Sequence, residues 1–95
     1  MSNVIYEYTL QQAIEDGVLA EIFKDRWQQL SGGKPIVATD HLFSEVSLAG
    51  LMEIWNEYVQ KRKPQDNPFV TKMNGNEVWV IEDGQAFTLL YPEDY

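Results

Sequence analysis

From Leu48 to about Arg62 the apolar residues Leu48, Leu51, Met52, Trp55, Tyr58 and Val59 recur every three to four positions, the spacing of an amphipathic helix. Ser47 stands where an N-cap belongs, and Lys61, Arg62 and Lys63 complement the helix dipole at the other end. Pro64 and Pro68 stop the helix and start an extended segment. Closer to the N-terminus the pattern is shorter. Val4 to Tyr8 reads as a first strand. Thr9, with Gln12 three residues on as in a capping box, opens a short helix whose apolar side is Leu10, Ala13 and Ile14. Glu15-Asp16-Gly17 ends it, because Gly17 suits the left-handed position after a helix. Val18 to Phe23 then alternates imperfectly and reads as a strand. Lys24 to Leu30 reads as a helical turn closed by Ser31-Gly32-Gly33, and Pro35 to Ala38 as a short extended or turn segment. Thr39 or Asp40 caps a further short helix through Val46.

In the last third the period changes to two. Asn74-Gly75 and Asp83-Gly84 each separate strand-like runs, the signal of a two-residue hairpin turn. Those turns pair Lys72 with Glu77, Thr71 with Val78, Phe69 with Val80, and Val80 with Phe87. Phe69, Val78, Val80, Phe87 and Leu89 then share one face, and Val70, Trp79, Ile81, Ala86, Thr88 and Leu90 the other. Both faces are largely apolar, whereas a meander covered on one side normally has a polar outer face. The N-terminal segments are expected to wrap the second face; the alternative is a partner-binding patch of Trp79, Ile81 and Leu90. The expected fold is a single α+β domain over residues 1–95, with helices packed on a small antiparallel sheet that includes a C-terminal three-stranded meander.

Charge changes the picture more than composition does. Fifteen acidic and seven basic residues leave a net charge of −8, which repels nucleic acid and anionic membrane surfaces. No apolar run approaches the roughly 20 residues of a membrane helix. Met1 to Asn3 carry no basic side chain and no long apolar segment follows, so no signal peptide is read and a cytoplasmic location is expected. The absence of cysteine removes disulfides and thiolate metal ligands.

Candidate chemistry is sparse. His41 is the single histidine; with Glu45 four residues on it offers two metal ligands where a stable site needs three or four, so no metal and no cofactor is expected. Thr9, Ser31, Thr39, Ser44 and Ser47 sit in no nucleophile motif, and helix caps explain several of them. Ser31-Gly32-Gly33-Lys34 lacks the spacing of a phosphate loop. Glu53 and Glu57 lie one helical turn apart on the polar side of the long helix, while Glu82, Asp83, Glu93 and Asp94 fall at strand ends and the C-terminus.

The stretch YTLQQAIEDGVLAEI, from Tyr8 to Ile22, resembles the N-terminal signature of a family of small bacterial proteins carried by plasmids, phages and integrated elements. Tyr8 or Tyr6, Thr9, Gln12, Ala13, Ile14, Asp16, Gly17, Val18 and Leu19 carry the match, and Pro92, Glu93 and Asp94 are similar to the family's closing motif. The middle of the chain, Lys24 to Asn67, departs from it. The resemblance implies no activity but does imply a mobile-element setting, where small acidic proteins often inhibit host defence enzymes. The expected function is therefore a non-enzymatic protein-binding module, in its finer form an inhibitor that mimics nucleic acid against a basic nucleic-acid-binding enzyme. Glu53, Glu57, Glu82, Asp83, Glu93 and Asp94 are the expected contacts. The alternative is a small-molecule-binding or catalytic domain with a pocket near His41.

Overall fold

The computed structural model describes residues 9–95 of the chain. The strand expected at residues 4–8 lies outside them. Helix α1 (Leu10–Glu15) starts at Thr9, whose Oγ1 accepts the Gln12 N–H at 3.1 Å. It ends in a Schellman motif: Gly17 lies at φ +77°, its N–H reaches Ile14 O at 3.1 Å, and the Val18 N–H reaches Ala13 O at 2.9 Å. Strand β1 (Leu19–Glu21) leads into a 3₁₀ turn (Lys24–Arg26) and helix α2 (Trp27–Ser31), which Gly32 closes in the left-handed region. Strand β2 (Ile36–Thr39) runs directly into helix α3 (Asp40–Glu45), whose cap is the last residue of the strand: Thr39 Oγ1 accepts the Leu42 N–H. Ser47 caps helix α4 (Leu48–Lys61) by accepting from the Gly50 N–H at 3.1 Å. Strands β3 (Phe69–Met73), β4 (Asn76–Glu82) and β5 (Phe87–Leu90) follow, and a 3₁₀ turn (Pro92–Asp94) ends the chain.

The fold class is α+β, with a sheet of order β1-β2-β5-β4-β3. The C-terminal meander is present, but the sheet is mixed and not purely antiparallel as expected. Strand β2 inserts beside β5 and runs parallel to it, pairing Ile36 with Phe87 and Ala38 with Leu89. All four residues of β2 and all four of β5 are buried, as central strands covered on both faces must be. The segment expected to be merely extended, Pro35 to Ala38, is thus one of the two strands at the heart of the sheet.

The first hairpin has the expected register, Lys72 with Glu77 and Phe69 with Val80. Asn74 at φ 56° and Gly75 at φ 83° make the turn type I′. The second hairpin turns one residue later than expected. Its centre is Gly84-Gln85, because Asp83 Oδ1 accepts both the Gln85 N–H at 2.8 Å and the Ala86 N–H at 3.0 Å. Val80 therefore faces Leu89, not Phe87. The shift is two residues along β5, an even number, so every side chain keeps its expected face.

Helix α4 covers the first face. Leu51, Ile54, Trp55 and Tyr58 are its buried residues, so the apolar stripe is turned towards Ile54, and Leu48 and Val59 are left exposed at its flank. Trp55 meets the Phe87 ring edge-on at 5.0 Å, and Tyr58 meets Phe69 and Phe87 at 5.5 and 5.8 Å. Such pairs add about 0.5–1.5 kcal/mol each beyond their burial. On the second face, α1 packs Leu10, Ala13 and Ile14 over Leu19, Val37 and Ala86. Towards β4 the Tyr95 ring lies 5.7 Å from Trp79. Leu90 is fully buried and cannot belong to a partner patch as the sequence suggested. Trp79 and Ile81 are half-buried, and Val70 is exposed beside them on edge strand β3.

Candidate acidic interface

At one end of the sheet β2 and β5, parallel neighbours, both leave it, and β1 and β4 both enter. This brings the α1–β1 turn, the start of α3, the start of β4 and the C-terminal turn together. His41, in the first turn of α3, is the centre of the group. Its Nδ1 lies 3.0 Å from Asp94 Oδ2 and 3.8 Å from Glu93 Oε2, and its Nε2 lies 3.2 Å from Glu45 Oε2. The Tyr91 hydroxyl donates to Glu45 Oε1 at 2.8 Å, and its ring sits 4.7 Å from the imidazole. Thr39 Oγ1, while capping α3, donates to Asp94 Oδ2 at 3.3 Å.

The electrostatics follow from these neighbours. Burial works to lower the His41 pKa, but the hydrogen bond and charge of Asp94, with the charges of Glu45 and Glu93, outweigh it and hold the pKa above 6.5. Burial, then the Glu45 carboxylate, push the Tyr91 phenol up to about 12. Clefts of about 360 and 350 Å³ open on either side, the first between Glu45, Glu77 and Glu93, the second between Asp40, Glu93 and Asp94. Chemically, both ring nitrogens of His41 already face carboxylates, so the ring exchanges protons with solvent but turns neither nitrogen towards a substrate in the clefts. The carboxylates sit at different ring nitrogens and do not converge as a ligand set; among the described residues no group of three or more His, Cys, Asp or Glu is placed to hold a metal. What the end offers is acceptors for N–H donors of a cation.

The topology also sorts charge. Glu15, Asp16, Asp40, Glu45, Glu77, Glu93 and Asp94 lie at this end, with Lys72, opposite Glu77, as its single Lys or Arg among the described residues. Lys24, Arg26, Lys34, Lys61, Arg62 and Lys63 all belong to the opposite end, mixed with Glu21, Asp25, Asp66, Glu82 and Asp83. One end is strongly acidic and the other nearly balanced.

The acids singled out from the sequence fall in separate places. Glu93 and Asp94 belong to the acidic end. Glu82 lies at the other end, 3.3 Å from Lys34 Nζ and 4.0 Å from Arg62 Nη1, and Asp83 braces the second hairpin turn. Glu53 and Glu57 lie on α4, where they line a separate cleft with Thr71, Lys72 and Met73 of β3; Glu57 is 3.3 Å from Lys61 on its own helix. The sequence places Glu45 and the adjacent Asp40 beside His41 but does not show Tyr91, which lies at a distant strand end, or Asp16 and Glu77, which only the strand order brings to the same end. Comparison with protein-family models, with curated proteins and with solved structures finds no match.

Proposed function

We propose that the protein is a non-enzymatic binding module that docks the acidic end of its sheet against a basic protein surface. The observation that carries this reading is the segregation of charge among the described residues: seven carboxylates meet a single lysine at one end, while the other six Lys and Arg side chains sit at the opposite end. A net charge of −8 spread evenly would aid solubility alone; concentrated at one end it steers a cationic partner and fixes its orientation. The finer proposal is an inhibitor encoded by a mobile element, whose carboxylates take the place of phosphates in the groove of a nucleic-acid-binding enzyme. The resemblance of the chain's two ends to a mobile-element family supports that setting. The alternative, a small-molecule site near His41, has the clefts but no free ring nitrogen beside them.

Two variants separate docking at this end from net charge. Asp16→Asn/Asp40→Asn/Glu93→Gln removes three negative charges from the acidic end, and Asp25→Asn/Asp66→Asn/Asp83→Asn removes three from the other. A partner captured by the native chain should be retained by the second variant and lost by the first. Equal loss with both variants would mean that only net charge matters.

A further inference from the structure

His41 is shared between two chain segments. Its own helix supplies Glu45 at Nε2, and the C-terminal turn supplies Asp94 and Glu93 at Nδ1. The side chain is 39% exposed, so protons reach it from solvent. The other charged or titratable groups lining the clefts at its sides are Tyr91 at the exit of β5, Asp40 on α3 and Glu77 at the start of β4, with Asp16 next in sequence to Gly17 of the second cleft; among the described residues none of these is a cation. An imidazolium carries two N–H donors and satisfies Asp94 and Glu45 together, in charge-assisted bonds. A neutral ring carries one. Whichever nitrogen keeps it, the other turns a lone pair towards a carboxylate, and the surrounding carboxylates lose the cation that separates them.

We propose that His41 is a protonation-controlled tie that fastens the C-terminal turn to helix α3, and so sets both the charge and the shape of the acidic end. Protonated, it holds Pro92–Asp94 against Thr39 and α3 and cancels one negative charge there. Deprotonated, it leaves the end one unit more acidic and the turn more loosely held. The consequence for a docked partner rests on the docking reading above; the tie itself is a property of the free chain and is tested without a partner.

The turn has its own reporters. The Asp94 amide bonds Tyr91 O at 3.0 Å and the Tyr95 amide bonds Pro92 O at 3.1 Å, so both exchange with solvent when the turn opens. The experiment follows the His41 ring protons and the exchange of these two amides by NMR on the same free protein, from about pH 5 to about pH 8.5, a range that brackets an ordinary histidine. The His41 midpoint is expected above 6.5. Protection of the Asp94 and Tyr95 amides, corrected for intrinsic exchange, should fall about two- to fivefold through that midpoint, the range for a partly exposed ion pair. His41→Gln should abolish the step and hold protection at the native high-pH level. Glu45→Gln should lower the midpoint and move the step with it. Protection that does not change at the His41 midpoint, or a step that survives in His41→Gln, would overturn the proposal, whether or not a partner is found.

Discussion

Replacing Gly17 by valine isolates a backbone energy. Gly17 holds φ +77°, and an ideal Cβ built there meets no heavy atom of the described residues within 4 Å. Steric collision with neighbours is therefore absent, and the cost is that of forcing a β-branched residue into the left-handed region. That conformation costs an L-residue roughly 1–2 kcal/mol, with valine at the upper end. The smaller entropy of the unfolded valine chain returns about 0.4–1 kcal/mol. Relaxing φ offers no escape. It would break the bonds from the Gly17 and Val18 amides to Ile14 and Ala13, each worth about 0.5–1.5 kcal/mol, and would lift α1 from Leu19 and Val37. The expected loss is about 1–2 kcal/mol. In urea, with a slope of about 1 kcal/mol/M for a small domain, the midpoint should drop by about 1–2 M at unchanged slope. Gly17→Asn should lose about half as much, since asparagine tolerates positive φ. An unchanged midpoint for valine, or equal losses for asparagine and valine, would refute the reasoning.

Three further outcomes are expected. Trp55→Ala should cost about 3–5 kcal/mol in denaturant melts, because Trp55 is buried against Phe87 and Tyr58 at the centre of the main core. Leu90→Ala should cost about 2–5 kcal/mol while Val70→Thr on the same sheet face stays within about 0.5 kcal/mol, a contrast that thermal melts of the two would check. For His41→Ala the sign follows from a folded pKa raised above 6.5: the native contribution is fully present below that value and lost as pH rises through the folded pKa, so the variant should differ most from the native chain near pH 5.5 and least near pH 8.5. Calorimetric titration should find no stoichiometric zinc in either chain, and one zinc per chain at micromolar affinity would contradict the geometry at His41.

How much of this was legible in the sequence depends on how far apart the cooperating residues lie. Thr9, Thr39 and Ser47 bond amides three residues away, and Gly17 answers to the helix just before it, so caps and stops could be read directly. Asn74-Gly75 demands positive φ at both positions and fixes its own hairpin. At Asp83-Gly84 the same dipeptide logic misled, because the aspartate bonds forward to Gln85 and Ala86 and becomes the first residue of the turn. Strand β2 was under-read because three apolar residues and a threonine after a proline become a strand only when β5, about fifty residues later, lies beside them. The candidate interface was the least legible part. Glu45 meets Tyr91 across 46 residues, and Asp16 and Glu77 come to the end that holds Asp40 and His41 only through the strand order.

The central claim is that the acidic end steers and seats a basic partner. Its most direct test is the association rate of a captured partner, followed by stopped flow as salt rises from about 50 to about 500 mM, which shortens the Debye length from well over 10 Å to about 4 Å. The native rate should fall at least about tenfold over that range, as for steered association. Asp16→Asn/Asp40→Asn/Glu93→Gln should associate more slowly with a shallower salt dependence, and Asp25→Asn/Asp66→Asn/Asp83→Asn should follow the native curve. A native rate that is flat in salt, or two variants that behave alike, would contradict the account.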